Sequence, residues 1–371
     1  MRIGIIGCGQ LARMMALAGL PLGLKFSFVA DGGANTDLSC VEGLGIIAPW
    51  QPGQCIKALY QALGKPDVIT VEKEQVDLEL VQQLEVYCNV RPSAASIAQC
   101  KSRIKEKQLL TKLDIPCAPF TYQVDLAQSA ATLGLPMVIK SLDEGYDGKN
   151  QWVVKDHDTL NTLAGSDSLG DNFGDNFGNY LVEQWIPFDK EVSLIGARGH
   201  DGEIRFYPLT ENVHRKGILI RSMAPAKDIS PEMEIIAQQH MRRLLEAENY
   251  VGVLAMELFV VGEQLLVNEL APRVHNSGHW TQMGTTTCQF ENHIRAVAGL
   301  PLGATTLISK TGMLNLLGVA MPPLKSLSAS SSLHWYNKAS RPNRKLGHIN
   351  FTAADHASLD QQMDLAENHI Y

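Results

Sequence analysis

Residues 255 to 269 read Ala255-Met-Glu-Leu-Phe-Val260, Val261-Gly-Glu-Gln264, Leu265-Leu-Val-Asn-Glu269. Two apolar runs on either side of a glycine are the pattern of a β-hairpin. Each run carries one carboxylate, Glu257 and Glu269. With Gly262-Glu263-Gln264 as the loop, antiparallel pairing sets the two glutamates opposite each other, side chains on one face. Two facing carboxylates need a cation. Hard oxygen donors with Asn268 beside them suit Mg2+ bridging nucleotide phosphates better than zinc; the competing reading is a solvent-facing pair.

Immediately downstream lies Ala271-Pro-Arg-Val-His-Asn-Ser-Gly-His-Trp-Thr281, polar, short-stepped and unlike a core element. It reads as an active-site loop. His275 and His279 have the i, i+4 spacing of a helical metal pair, but Asn-Ser-Gly between them opposes a helix and no acid stands where a metalloprotease places its base. Arg273 beside His275 and Asn276 better suits a small planar oxyanion such as a carboxylate or bicarbonate.

Upstream, Met137-Val-Ile-Lys140 is an apolar strand ending in a lysine, and Ser141 to Gln151 forms a polar loop containing Gly145 and Gly148. The lysine brings a point charge to a phosphate, and the glycines let loop amides close over the others as a lid. The alternative is a solvated strand end. Tyr180-Leu-Val-Glu-Gln-Trp-Ile186 is a further apolar strand, ending at Glu183 where backbone and carboxylate can read an adenine or ribose; a buried edge glutamate is the other reading. Together these segments point to ATP.

At the amino end, Gly7-Cys-Gly-Gln-Leu-Ala12 follows a short apolar run and precedes a helical pattern, with Asp31 closing the next strand. This fits the dinucleotide fingerprint, any other phosphate site, or a tight strand-to-helix turn. Near the carboxyl end, Lys338, Arg341, Arg344, Lys345 and His348 crowd together, a candidate anion site or a solvated basic face.

The first hundred residues alternate β-like and helical runs, the rhythm of a parallel βαβ sheet. From Tyr180 onward short strands dominate, broken by a helix near 231–247, which suggests an antiparallel sheet. An Asp-Asn-Phe-Gly tandem repeat at 166–178 reads as a loop, without the acid spacing of a calcium hand. Ser326 to Ser332 reads as a polar linker before a compact tail.

The whole chain, 371 residues with 45% hydrophobic and a net charge of −7, is that of a globular enzyme of two or three domains. An acidic balance offers no field for nucleic acid. No run reaches the ~20 apolar residues of a membrane span, and no secretory leader is evident. A cytoplasmic protein is expected. Seven cysteines without a Cys-x-x-Cys pair indicate buried, reduced thiols.

The order of these motifs, from Gly-Cys-Gly-Gln-Leu-Ala-Arg-Met through Gly-Tyr-Asp-Gly-Lys, Leu-Val-Glu-Gln, Ala-Met-Glu and Asn-Glu-Leu-Ala-Pro-Arg-Val-His-Asn-Ser-Gly-His-Trp-Thr to Arg-Lys-Leu-Gly-His, resembles the 5-(carboxyamino)imidazole ribonucleotide synthases. These are carboxylate–amine ligases of the ATP-grasp fold. The resemblance implies an α/β chain: a parallel βαβ domain over 1–100, a lid subdomain over 101–184, an antiparallel catalytic sheet over 185–305 and a C-terminal subdomain over 306–371. It implies that Arg103, Lys140, the lid residues Gly145, Tyr146, Asp147, Gly148, Lys149 and Gln151, the adenine edge Glu183, Gln184, Trp185 and Ile186, and Glu191, His214, Asn268 and Glu269 bind ATP. Glu257 and Glu269 would hold Mg2+, and Arg273, His275, Asn276 and Lys140 would carry the chemistry.

By the same resemblance Gln10, Glu74, Tyr146, Lys338, Arg344 and Lys345 would meet aminoimidazole ribonucleotide, the last two clamping its 5′-phosphate. The implied reaction phosphorylates bicarbonate with ATP and passes the carboxyl group to the amine, in a cytoplasmic homodimer. Asn150 replaces the family's second lid glycine, and Lys73 stands where an aromatic is common. A formate-using glycinamide ribonucleotide ligase shares the Glu/Glu hairpin, and a nicotinamide-dependent dehydrogenase explains the first motif alone.

Overall fold

The apolar runs at the amino end become strands of one parallel sheet because they are buried on both faces, as crossover connections demand. In the computed structural model, which describes residues 1–32, 36–122, 125–142, 151–165, 180–322 and 327–371, these strands are β1 (Arg2–Ile6), β2 (Lys25–Ala30), β3 (Ile46–Pro49), β4 (Val68–Val71) and β5 (Asn89–Val90). Their order is β3-β2-β1-β4-β5. The winding direction therefore reverses between β1 and β4, the place where open parallel sheets receive ligands beyond their strand ends. Helices α1 (Gln10–Gly19), α2 (Ile56–Ala62) and α3 (Leu78–Leu84) connect strands of this sheet, and α4 (Ala94–Lys101) follows β5. Asp77 and Ser93 cap α3 and α4 with their side chains, whereas Gly9 at the start of α1 has none to offer.

Helix α5 (Arg103–Lys112) leads into an antiparallel sheet of order β6-β9-β7-β8, formed by β6 (Phe120–Tyr122), β7 (Met137–Ser141), β8 (Gln151–Val154) and β9 (Tyr180–Gln184). Helices α6 (Leu126–Leu133) and α7 (His157–Gly165) accompany it. The predicted lid residues Gly145, Tyr146, Asp147, Gly148 and Lys149, with Asn150 and the 166–178 repeat, lie outside the described residues.

The third and largest sheet contains β10 (Lys190–Arg198), β11 (Ile204–Phe206), β12 (Thr210–Arg215), β13 (Ile218–Ala224), β14 (Gly252–Val261), β15 (Gln264–Ala271), β16 (Lys310–Leu317), β17 (Ser331–Trp335) and β18 (Lys345–Ala353). Its path is β15-β14-β10-β12-β13-β16-β18-β17, with β11 on the flank of β10. Residues 306–371 thus do not stand apart as the expected compact tail: β13 pairs with β16 and the sheet runs on. Ser331 and Ser332, expected in a linker, pair with Phe351 and Asn350.

Helix α8 (Pro231–Ala247) covers one face of this sheet through Met233, Ala237, Met241 and Leu244. The short α9 (Thr281–Gly284) and α10 (Gln289–Val297) follow the active-site loop, and α11 (His356–Ile370) closes the tail. Helix α10 joins the sheets. Its Phe290 and Ile294 share a core with Met14 and Met15 of α1, and its buried His293 meets Thr70 of β4 at 2.7 Å. The carboxyl ends of the parallel strands are thereby fixed against the β14–β15 hairpin. Among the described residues no helix is long and apolar enough to cross a membrane. All seven cysteines are free, but only Cys8 and Cys40 are buried and Cys55 is exposed, contrary to the expectation of buried thiols.

Candidate active site

The hairpin forms with a tighter turn than its sequence suggests. Gly262 adopts φ +57, and Val261 pairs directly with Gln264, so the loop has two residues instead of three. Left alone, that register sets Glu257 against Asn268. A β-bulge between Glu257/Leu258 and the 267–269 segment absorbs one residue, Asn268, and restores the pairing of Glu257 with Glu269. Strand alternation gives one face every second residue; the bulge lets Asn268 and Glu269 line the same cleft.

That cleft measures about 680 Å³ and lies where the three sheets meet. It gathers Gln10, Glu74, Arg103, Lys140, Gln151, Glu183, Gln184, Trp185, Ile186, Glu191, His214, Glu257, Asn268, Glu269, Arg273, His275, Asn276 and Lys345, from elements far apart in the chain. Val138, Val153, Phe188, Leu219 and Phe259 add an apolar wall beside the 183–186 segment, with Phe188 and Phe259 stacked at 4.6 Å. A planar apolar ring fits between such a wall and a strand edge.

Lys140 is buried and ion-paired with Glu183, and it donates to Asn268 Oδ1 at 3.2 Å. The Glu183 carboxylate faces Lys140 and is itself buried, so any reading of a base beside it falls to the backbone of this edge. Glu191 and His214 meet at 2.6 Å across β10 and β12; burial works against a charged imidazole there, but the hydrogen bond to Glu191 raises His214 above its ordinary value. Arg103 lies 3.6 Å from Glu269.

The loop after β15 is held by a chain of buried hydroxyls. Ser222 Oγ donates to Asn212 Oδ1 (2.8 Å), Asn212 Nδ2 donates to Ser193 Oγ (2.9 Å), and Ser193 donates to Ser277 Oγ (2.7 Å). The Ser277 proton is left for His275 Nδ1 at 2.9 Å, which also accepts from the Ser277 amide. His275 therefore carries its proton on Nε2, 3.1 Å from Glu257 Oε1. Burial works against ionisation of Glu257, yet this hydrogen bond and its neighbours hold the carboxyl down to about 2.

Glu269 behaves oppositely. Burial and the facing Glu257 push it above the ordinary carboxylate range. Two carboxylates paired across one hairpin and facing one cleft, with an amide beside them, are a donor set that a hard divalent cation satisfies. The residues present fit Mg2+. Asn276 adds a second unfulfilled demand: both atoms of its amide are buried, line the cleft and meet no hydrogen-bond partner among the described residues.

Two expectations change in the structure. Arg344 does not line the cleft; its guanidinium pairs with Asp37 at 2.8 Å and donates to Ala339 O. Asn337 and Asn343, at φ 63 and 60, turn the chain so that Lys345 enters the cleft while Arg344 faces away. Lys338 also stays off the wall and donates to Gln10, which is on it.

The second concerns the glycine-rich loop. Glu72, just past β4, reaches the start of α1 and accepts from the amides of Gly9 and Ala12 (2.9 Å to Ala12). A Cβ on Gly7 would lie 2.4 Å from Glu72 Cγ, so the glycine makes room for this carboxylate. Asp31, the acid a dinucleotide would need, is paired with Lys73 at 2.8 Å. The two glycines of the motif serve packing, while its Gln10 lines the cleft. Glu72 was missed because its partners lie in another βα unit, and Lys107, described below, because a lysine in a charged helix reads as solvent-facing.

Family models match three stretches: a ribonucleotide synthetase preATP-grasp domain over residues 1–101, an ATP-grasp domain over 108–290 and a phosphoribosylaminoimidazole carboxylase C-terminal domain over 311–362. The chain is 42% identical over 368 residues to the N5-carboxyaminoimidazole ribonucleotide synthase of Vibrio cholerae, covering 98% of this chain and 94% of that protein. The chain belongs to the N5-carboxyaminoimidazole ribonucleotide synthase family. The family member of Pseudomonas aeruginosa is 41% identical, with 98% of each chain covered. Among solved members, the synthetase of Thermus thermophilus superposes with a TM-score of 0.86 at 39% identity, covering 98% of this chain and 96% of that one. The Aspergillus clavatus synthase, solved with ADP and 5-aminoimidazole ribonucleotide, gives 0.85 at 26% identity, covering 99% and 97%.

Proposed function

We propose that the cleft carboxylates the amine of 5-aminoimidazole ribonucleotide at the expense of ATP and bicarbonate, giving the 5-carboxyamino product, ADP and phosphate. The observation that carries this reading is the convergence in one cleft of Lys140 and Arg103, the Glu257–Glu269 pair, and the Arg273–His275–Asn276 loop. Mg2+, held by Glu257 and Glu269, would supply charge neutralisation for the transferring phosphoryl group.

The chain's own residues do the rest. Lys140 and Arg103 face the phosphates, and the apolar wall with the 183–186 backbone takes the base. Arg273 offers a planar fork to two oxygens of bicarbonate, and the unpartnered Asn276 amide offers a donor and an acceptor beside it. His275, its Nε2 proton aimed at Glu257, orients that carboxylate. Transfer of the γ-phosphoryl group to bicarbonate gives carboxyphosphate, which water would destroy. The amine of the ribonucleotide then attacks the carboxyl carbon and phosphate leaves. Glu74, Gln10 and Lys345 are the residues we assign to the ribonucleotide. The same reading includes a homodimer working in the cytoplasm on small molecules alone, with domains at 1–100, 101–184 and 185–305 and a C-terminal segment, 306–371, that extends the large sheet.

The test is ADP release measured with each substrate omitted in turn. Release that needs both bicarbonate and 5-aminoimidazole ribonucleotide is expected. Release driven by formate with glycinamide ribonucleotide would overturn the assignment.

A further inference from the structure

Lys107 lies on α5, one turn after Arg103, and is 1% exposed. Its Nζ stands 2.6 Å from Glu183 Oε1 and donates to Asn268 O at 3.0 Å. The other oxygen of Glu183 meets Lys140, which in turn donates to Asn268 Oδ1. Four residues from α5, β7, β9 and the β15 bulge thus close a ring that ties the small sheet to the large one.

The charges in this ring do not cancel. A buried lysine alone sheds its proton. Burial works in that direction at Lys107, but Glu183 overrides it and the ammonium is held above its ordinary value. The two lysines likewise hold Glu183 down to about 2 against the effect of burial. Two ammonium groups share one carboxylate. Without Lys107, Glu183 would belong wholly to Lys140, and the pair would present no net charge to the cleft.

We infer that Lys107 is a positioning residue that occupies Glu183 so that the charge of Lys140 remains available to the phosphates of the bound nucleotide. The inference rests on reading the cleft as a nucleotide site. A purely structural part for Lys107, joining the sheets, predicts different behaviour. Glu106, the neighbouring acid, has its carboxyl raised to about 7 by burial and accepts from the Leu270 amide; it is unchanged in every variant compared below.

The test is calorimetric binding of Mg·ADP and, separately, of adenosine to the full-length protein. Lys107→Met should weaken ADP about tenfold or more and adenosine by less than about twofold, because a unit charge a few ångströms from a phosphate counts and a base does not feel it. Lys107→Met/Glu183→Gln should recover most of the lost ADP affinity, since the nucleotide phosphates then become the counter-charge that keeps Lys140 protonated. Glu183→Gln alone should bind ADP at least as tightly as the parent. Equal loss of ADP and adenosine in Lys107→Met, or a double variant no better than the single, overturns the inference. If Lys107→Met does not fold, as circular dichroism would reveal, the Glu183→Gln arm decides: weakened ADP with unchanged adenosine refutes it. A parent protein that binds neither ligand refutes the nucleotide site itself, a separate failure.

Discussion

Arg273, from the loop after β15, donates through Nε to Glu74, which lies just beyond β4 in the parallel sheet. The guanidinium assigned to bicarbonate is therefore steadied by a carboxylate assigned to the ribonucleotide, across the junction of two sheets. Burial works against ionisation of Glu74, and Arg273 overrides it, holding the carboxyl below its ordinary value. A depressed carboxyl stabilises the fold above the unfolded value near ~4.3 and loses that contribution as pH falls through the folded one. Glu74→Gln should cost about 3 kcal/mol at neutral pH, because it removes the carboxylate that balances a buried guanidinium. Denaturant unfolding should show the gap closing below about pH 4.

The fork itself is tested by Arg273→Lys. Lysine keeps a charge for Glu74 but cannot bind two oxygens of a planar anion at once. Mg·ADP affinity should stay within about twofold, while bicarbonate-dependent ATP cleavage falls by at least an order of magnitude, ~1.4 kcal/mol in the barrier. Wild-type-like kinetics would leave Arg273 with only its tie to Glu74.

Glu269 sits in a like-charge pair that only a cation relieves. Glu269→Gln should leave the metal-free protein at least as stable as the parent, since the repulsion with Glu257 is removed. It should lose the extra thermal stability that Mg·ATP confers on the parent and about two orders of magnitude in turnover. Unchanged turnover would move the metal elsewhere.

Ser277 donates its hydroxyl hydrogen bond to His275 Nδ1. Ser277→Ala leaves Nδ1 only the longer bond from the residue 277 amide and should shift the balance of the neutral tautomers, visible as a change in the 15N shifts of His275. Turnover should fall about tenfold with little change in nucleotide affinity, and Ser277→Thr should restore it. Identical His275 shifts in parent and Ser277→Ala would show that the hydroxyl chain only supports the loop.

Lys345 begins β18 and lines the cleft. Lys345→Ala should weaken 5-aminoimidazole ribonucleotide by ~1.5–3 kcal/mol, the worth of a charge-assisted hydrogen bond, and spare ATP. Equal losses for both ligands, by titration, would assign Lys345 to the nucleotide.

The glutamate pair was legible because hairpin pairing is a matter of counting along two short runs. Its agreement with the structure nonetheless depends on compensation: a shorter turn and a one-residue bulge cancel, and neither Asn268 nor its neighbours advertise the bulge. Arg103, Glu191 and His214 were assigned through motif order, since each meets its partners only after the sheets assemble. Lys107 stayed hidden for a related reason. The helix Arg103–Lys112 is charged along its length, yet Lys107 points inward to an acid 76 positions away and Glu106 to the Leu270 amide. Arg344 and Lys345 show the opposite error: adjacent basic residues form one cluster on paper and part company where a strand begins.

The carboxylate of Glu72 at the start of α1 makes the protein its own ligand. Tethered to the same sheet, it meets the Gly9 and Ala12 amides at an effective concentration that a free anion in solution, at millimolar levels or below, does not rival. A glycine signature of this kind records the shape of a socket and says nothing about whether the socket is free. Two chains sharing Gly-Cys-Gly-Gln-Leu-Ala would differ in cofactor chemistry according to one side chain 63 positions away from Gly9.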